Sequence, residues 1–319
     1  VEWRGSLDRV LLWEADRFES GVELATPEGT IVLAGLFTDR DRDGDLDLLL
    51  TSDHELPTAF WRNDGDWVED AGAVGAQSRI SAMGIDSGDL NGDGELDYCI
   101  TDIGPVSCLL SFESGWVDGS VSHPLTPAVP AGVAETVGWS LDLLDFDHDG
   151  APDAWQPAGA PGGEASGDSY PDLLWAGGDG FVDVSAVAGV QDSADHYGGA
   201  AADLDGDGSL DLLAIGPGDI PRLWMNRCSA GAWVEVALVG PPGNRDGIGA
   251  QVEATVGGRT WLQEIHTRRG FGQRPPTAWL GLGEADAVDI VVPWPGGERT
   301  EAAGLPLRRR LTLRSEDAG

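Results

Sequence analysis

The chain contains no lysine. All 19 of its basic residues are arginine, set against 55 acidic ones, for a formal charge of −36 over 319 residues. So little positive charge excludes a nucleic-acid-binding face, which needs clustered Lys and Arg, and docking on anionic lipid. No stretch approaches the roughly 18 apolar residues of a spanning helix, so membrane insertion is not expected. Three cysteines are too few for a disulfide-stapled scaffold. Convincing helical periodicity is missing, and the sequence opens at Val1 without an initiator Met or a recognisable signal peptide of its own. What is abundant is acid, tryptophan (13 residues) and glycine (47 residues), the last at about twice ordinary usage. At 41% hydrophobic residues the chain can still build a core, so the charge does not signal disorder.

The acid is unevenly placed. Residues 1–230 hold 44 acidic and 9 basic residues, whereas residues 231–319 hold 11 and 10. This break divides the chain into an acidic part, 1–230, and a nearly neutral one, 231–319.

Self-similarity explains the acidic part. Four segments share D-x-[DN]-x-D-G-x-x-D. They are Asp39-Arg40-Asp41-Arg42-Asp43-Gly44-Asp45-Leu46-Asp47, Asp89-Leu90-Asn91-Gly92-Asp93-Gly94-Glu95-Leu96-Asp97, Asp145-Phe146-Asp147-His148-Asp149-Gly150-Ala151-Pro152-Asp153 and Asp203-Leu204-Asp205-Gly206-Asp207-Gly208-Ser209-Leu210-Asp211. Their starts lie 50, 56 and 58 residues apart. In a tight loop the side chains at positions 1, 3 and 5 converge, glycine at 6 permits the turn, the backbone carbonyl of 7 adds an oxygen and the Asp at 9 closes the cage. Such a set of hard oxygen donors suits Ca2+. Without a cation, carboxylates about 4 Å apart repel by roughly 4 kcal/mol per pair at an effective dielectric near 20. The pattern therefore predicts about four Ca2+ sites. The expected donors are Asp39, Asp41, Asp43, Asp45 and Asp47; Asp89, Asn91, Asp93, Glu95 and Asp97; Asp145, Asp147, Asp149, Ala151 and Asp153; and Asp203, Asp205, Asp207, Ser209 and Asp211.

An EF-hand requires Glu at position 12; Leu50, Ile100, Gln156 and Ala214 stand there instead. Thrombospondin-type wire repeats need far more cysteine. The flanks favour a loop inside a β-hairpin. Short apolar strands follow at Leu46–Leu50, Leu96–Ile100 and Leu210–Ile215, and half-apolar strands precede at Ile31–Phe37, Ala82–Gly88 and Val137–Leu144. A third, aromatic strand recurs at Ala59–Asn63, Asp172–Trp175 and Arg222–Asn226, and a fourth at Trp67–Asp70 and Phe181–Val184. Four short strands per 50–60 residues is what a propeller blade needs.

These repeats resemble FG-GAP/VCBS-type blades. Residues of about 243–300 are similar to the ASPIC/UnbV module through Asn244-Arg245-Asp246-Gly247-Ile248-Gly249-Ala250, Gly270-Phe271 with Gln273, Gly281-Leu282-Gly283 and Val292-Pro293-Trp294-Pro295-Gly296-Gly297. Together they resemble the cartilage acidic protein family and its bacterial members in enediyne antibiotic gene clusters. The resemblance implies an all-β chain, a calcium-binding β-propeller plus a small C-terminal β domain, secreted, at the cell surface or periplasmic. Two features depart from the family pattern. The Gly270–Gln273 segment is short and runs into Arg274-Pro275-Pro276, and four repeats are recognisable where related propellers commonly have seven blades. Residues 9–23 read as the last two strands of an earlier blade. Either N-terminal blades are missing, or these strands complete the fourth repeat, which lacks a fourth strand of its own.

Other residues leave alternatives open. Cys99 and Cys108, expected on adjacent strands, are either a disulfide or buried thiols, and Cys228 reads as a packed small residue. The five histidines show no metal-ligand spacing, and His148 is expected to face solvent. Asp195-His196 lies near serines but without a nucleophile-elbow sequence. His266, Arg268, Arg269 and Arg274 are a local concentration of positive charge, read as a solvated face ahead of an anion site or a contact with the acidic repeats. The Gly/Ala/Pro-rich residues 157–167 read as an insertion. The functional expectation is a calcium-stabilised protein that binds a protein or glycan partner and is not an enzyme. The rival is an enzyme or accessory protein acting on a small secondary metabolite in a pocket at the propeller axis.

Overall fold

The computed structural model describes residues 8–14, 17–24, 31–112, 115–120, 122, 124–125, 136–160, 171–192, 194–217, 220–227, 229–266 and 268–316. The chain is all-β, its described regular elements being strands apart from the single-turn helices Ala71–Val74 and Ser185–Ala188.

An antiparallel up-and-down sheet is built four times. The first contains Val32–Thr38, Asp47–Ser52, Ala59–Asn63 and Trp67–Glu69. The second contains Ile85–Gly88, Asp97–Ile100, Ser107–Phe112 and Gly115–Asp118. The third contains Asp142–Leu144, Asp153–Gln156, Leu173–Ala176 and Val182–Asp183. The fourth has three strands, Gly198–Ala202, Asp211–Ile215 and Arg222–Trp224. Each acidic segment joins the first strand of its sheet to the second. The register is the same each time, Thr38 facing Asp47, Gly88 facing Asp97, Leu144 facing Asp153 and Ala202 facing Asp211.

The sheets pack face to face in chain order. Leu36, Leu49 and Phe60 meet Tyr98 and Leu109 of the second sheet; Cys99, Cys108 and Leu110 meet Leu143, Ala154 and Trp175 of the third; Trp155 and Leu174 meet Leu212 and Ala214 of the fourth. A strand covered on both faces needs apolar residues at every position. Hence Leu48-Leu49-Leu50 is a continuous run rather than an alternation, and every residue of Asp47–Ser52 is buried. Cys99 and Cys108 face each other across neighbouring strands and form a disulfide, resolving the choice between bonded and free thiols. The N-terminal strands Asp8–Glu14 and Arg17–Leu24 pair with each other and pack Val10 and Leu24 on the first sheet. They do not complete the fourth sheet, which corrects that alternative.

Residues from Ala232 to Arg314 form two more sheets. Ala232–Val239 lies between Thr277–Gly283 and, in parallel, Arg309–Arg314. The second sheet runs Arg259–Glu264, Gln251–Val256, Ala287–Pro293, Arg299–Pro306. Their facing residues, among them Val234, Val236, Val252, Ala254, Leu280 and Ile290, share one core. Strict alternation of buried and half-buried residues along Ala232–Val239 reflects a strand with one covered face.

A small hairpin, Arg268–Arg269 with Gly272–Gln273, reaches from this C-terminal module in among the first strands of all four repeat sheets. Gly270 (φ +76°) bridges Gly84, and a Cβ on it would lie 2.2 Å from the Met83 carbonyl oxygen and 3.0 Å from Ala34 Cβ. On the other side, a Cβ at Gly272 would meet Ser140 at 3.2 Å, and one at Gly198 would meet the Phe271 carbonyl oxygen at 3.0 Å. No other residue fits at Gly270, where backbone approach and left-handed conformation coincide.

Candidate functional site

The four acidic loops fold alike, and their shared hydrogen bonds show how. At position 1 the carboxylate Oδ2 accepts the N–H of the position-6 glycine: Gly44 to Asp39 at 3.2 Å, Gly94 to Asp89 at 3.0 Å, Gly150 to Asp145 at 2.9 Å and Gly208 to Asp203 at 3.0 Å. At position 5, Asp43, Asp93, Asp149 and Asp207 each accept the N–H of position 7, from Asp45, Glu95, Ala151 and Ser209. At position 9, Asp47, Asp97, Asp153 and Asp211 accept an N–H from the third strand or its exit, from Asn63, Ser111, Gly177 and Asn226. Position 9 therefore ties loop to sheet. The position-6 glycines all have φ between 86° and 95°. Position 4 is left-handed as well, at Arg42, Gly92, His148 and Gly206. Sequence reasoning missed this second turn, although Gly92 and Gly206 marked it.

With Oδ2 of position 1 occupied, Oδ1 of Asp39 and of Asp145 is buried without a hydrogen-bond partner. Buried carboxylate oxygens normally have one. Burial, reinforced by the nearby Glu264 and Asp43 charges, pushes the Asp39 carboxyl up to about 6. Burial raises Asp145 to about 8, with Asp153 the strongest of the neighbouring charges. Burial likewise lifts Asp89 to about 6 and Asp47, Asp97 and Asp153 to about 7. Such a group is satisfied by a proton or by a cation, and a bound divalent ion inverts the cost of keeping it ionised. The donor set thus fits a hard, oxygen-seeking cation.

Three groups bring ligand atoms within 4.8 Å of one another: Asp39, Asp41 and Asp43; Asp145, Asp147 and Asp153; and Asp203, Asp205 and Asp211. In the second loop the amide of Asn91 takes position 3, its Nδ2 donating to Asp93 Oδ2 at 3.0 Å. The fourth loop differs in charge. Arg227 reaches Asp205 at 2.5 Å and Asp207 at 2.8 Å. The Asp207 carboxyl is lowered by hydrogen bonds from Ser209, with Arg227 adding to the effect.

The C-terminal module sits directly on these loops. The Gly150 carbonyl accepts from Arg259 Nη2 at 2.7 Å and Trp261 Nε1 at 2.6 Å. The Gly44 carbonyl accepts from Gly296 N at 2.8 Å, and the His148 carbonyl from Gly283 N at 3.2 Å. Asp39 donates its N–H to Glu264 Oε1 at 2.9 Å and accepts from Gln251 Nε2 at 2.8 Å. A cavity of about 370 Å³ lies between the second and third loops and the module, lined by Asp89, Asp145, Trp261, Gln263 and Trp279 among others.

Two expectations are corrected here. His148 does not face solvent. It is 1% exposed, and its Nε2 accepts the indole N–H of Trp279 at 3.2 Å. Burial first, and the Arg308 charge second, lower its pKa to about 4, which suits that acceptor role. The basic cluster is not a solvated face either: His266 and Arg274 are buried. His266 Nε2 lies 2.9 Å from Asp86 Oδ1, and Arg274 donates to the Leu143 carbonyl at 2.7 Å with its Nη2 3.8 Å from Asp86 Oδ2. The side chains of Arg268 and Arg269, like Cys228 and most of the 157–167 insertion, lie outside the described residues. His196 pairs with Asp172, Nδ1 to Oδ2 at 2.7 Å, rather than forming a triad with Asp195; both members are fully buried. The pair fastens the third repeat to the fourth.

Residues 39–100 match the family model of the FG-GAP-like repeat, and residues 240–319 match that of ASPIC and UnbV. The chain is thus an FG-GAP repeat region with a C-terminal UnbV domain. No curated protein matches. Among solved structures, the Photorhabdus luminescens Tc holotoxin pore is similar at 16% identity and a TM-score of 0.28. That similarity takes in 91% of this chain but only 13% of the toxin chain.

Proposed function

We propose that the acidic loops bind Ca2+ and that the chain is an exported binding or adhesion protein whose four sheets are blades of a β-propeller. The observation that carries the metal reading is the fourfold recurrence of one loop geometry, with Oδ1 of Asp39 and Asp145 buried and unpartnered in two of its copies. The remaining donors would be the side chains at positions 3, 5 and 9 and the carbonyls of Asp45, Glu95, Ala151 and Ser209. When bound, Ca2+ neutralises carboxylates that otherwise repel one another and fixes the loops. The blade reading rests on three four-stranded sheets and one of three strands packed face to face in chain order. Export is supported by the buried disulfide, a bond that persists in oxidising compartments. A protein partner is supported by Ile215, Ile220, Leu223 and Met225, apolar residues exposed around the fourth sheet. The 268–273 hairpin, packed where the first strands meet, argues against the rival reading of an axial pocket.

At millimolar calcium a site with Kd of about 10⁻⁵ M adds roughly 2.7 kcal/mol, so a few sites rival the stability of an ordinary domain. Excess EDTA should lower the melting temperature sharply, with added Ca2+ restoring it. An unmoved unfolding curve, together with no uptake in equilibrium dialysis, would end the calcium reading.

A further inference from the structure

The short motifs that mark the C-terminal module have no catalytic look about them. Their positions in the fold give them a common task. Gly281 of Gly281-Leu282-Gly283 lies on the third loop, where a Cβ would come 1.8 Å from Asp145 Oδ2. Gly283 donates to the His148 carbonyl of the same loop. Gly249, in the Asn244–Ala250 turn, lies against Leu46 of the first loop, its added Cβ 2.5 Å from Leu46 Cδ2. Gly296, in the Val292–Gly297 segment, donates to the Gly44 carbonyl. Trp233 covers Gly208 of the fourth loop, where a Cβ would meet the indole at 2.5 Å. Around Gly92 of the second loop, by contrast, there is open space.

We infer that these motifs form a docking surface for the cation-filled loops, so that loading of the loops and docking of the C-terminal module are coupled. The inference rests on the calcium reading above. The module addresses the outer, backbone side of the first and third loops: the carbonyls of Gly44, His148 and Gly150, and both backbone groups of Asp39. On the third loop the module also meets the position-1 carboxylate, Gly281 packing against Asp145 Oδ2. Outer groups hold their places only while the loop keeps its two consecutive left-handed turns, at positions 4 and 6. An empty loop crowded with carboxylates is pushed out of that shape by mutual repulsion, and the glycines then have nothing to fit. Linkage makes the relation reciprocal: whatever loosens docking weakens the ion.

The test uses the full chain. Calcium uptake is measured by equilibrium dialysis, and backbone hydrogen exchange is followed on the same samples with and without Ca2+. Exchange in peptides carrying Gly283 and Gly296 should quicken when calcium is withdrawn, while the sandwich core around Val234 and Val252 stays protected. The double substitution Arg259→Gln and Trp261→Phe removes two donors to the Gly150 carbonyl without touching an acidic side chain of the loop. It should weaken calcium binding about tenfold, within the range of ordinary coupling energies. Arg309→Gln, an exposed change elsewhere on the module, should leave binding as it is. If calcium binds but the interface peptides exchange alike in both states, or if the double variant binds as tightly as the parent, the coupling is refuted and the calcium reading survives. If no calcium binds at millimolar concentration, both fall.

Discussion

Gly281 of the C-terminal module and Asp145 of the third acidic loop are in direct contact: a methyl group at Gly281 would stand 1.8 Å from the carboxylate Oδ2 and 2.8 Å from His148 Cα. A Cβ so close forces the buried Asp145 carboxylate or the His148 backbone to shift. Gly281→Ala should therefore cost about 1–3 kcal/mol, as overpacking of tight interiors does. Gly243→Ala is the matched control, since a Cβ there meets nothing within 4 Å, and it should be near neutral. Urea unfolding of both variants decides the matter. Equal midpoints would mean that the strand and the loop are not held this closely in solution.

The raised carboxyls set a pH dependence with opposite signs in the two ionic states. In the ion-free protein Asp39 and Asp89 sit at about 6, Asp47, Asp97 and Asp153 at about 7 and Asp145 at about 8. All lie above an unfolded value near 4. Folding then favours the protonated forms, and that contribution is lost as pH rises through the 6–8 window. In EDTA the melting temperature should fall between pH 5 and pH 8. Calcium needs the same groups ionised, so the stabilisation it adds should grow over that interval. Melting curves at four pH values in EDTA and in calcium test this; a calcium increment independent of pH would contradict it.

Local chemistry was readable in the sequence, and long-range contact was not. The spacing of Asp39, Asp41, Asp43 and Gly44, repeated three times more, placed each loop between two strands, and the structure has it there. The fourth repeat read as lacking a fourth strand before Cys228, and among the described residues its sheet has three strands. The pairing of Cys99 with Cys108 was left open, because strand adjacency alone does not decide oxidation. His148 was misread because its neighbours in sequence are acids that face water. Its burial comes from Trp279, 131 residues away. In the same way, nothing near Arg274 in the sequence reveals Asp86 or the carbonyl of Leu143. The excess of acid in residues 1–230 over a nearly neutral 231–319 was read as a domain boundary alone.

The fourth loop carries its own competitor. The Arg227 guanidinium lies across Asp205 and Asp207, where a cation would draw on the same oxygens. Arg227→Gln should tighten the weakest calcium site seen by calorimetry, and by less at high salt, because the arginine is half exposed and screened. A titration identical to that of the parent would show that the arginine swings aside at no cost.

Asp86 is the fixed point of the contact between repeats and C-terminal module. Fully buried, it accepts the Leu143 N–H at 2.8 Å through Oδ2 and meets His266 Nε2 at 2.9 Å through Oδ1, with Arg274 Nη2 3.8 Å away. Removing one side of a buried charge pair costs about 3–5 kcal/mol, because the other charge is left without compensation. Arg274→Met and Asp86→Asn should each destabilise by that order. Together they should cost clearly less than the sum, since the second change removes what the first has stranded. Equilibrium unfolding of the two single variants and the double one gives the coupling directly. Strict additivity would show that Arg274 acts through its hydrogen bond to the Leu143 carbonyl and not through the carboxylate.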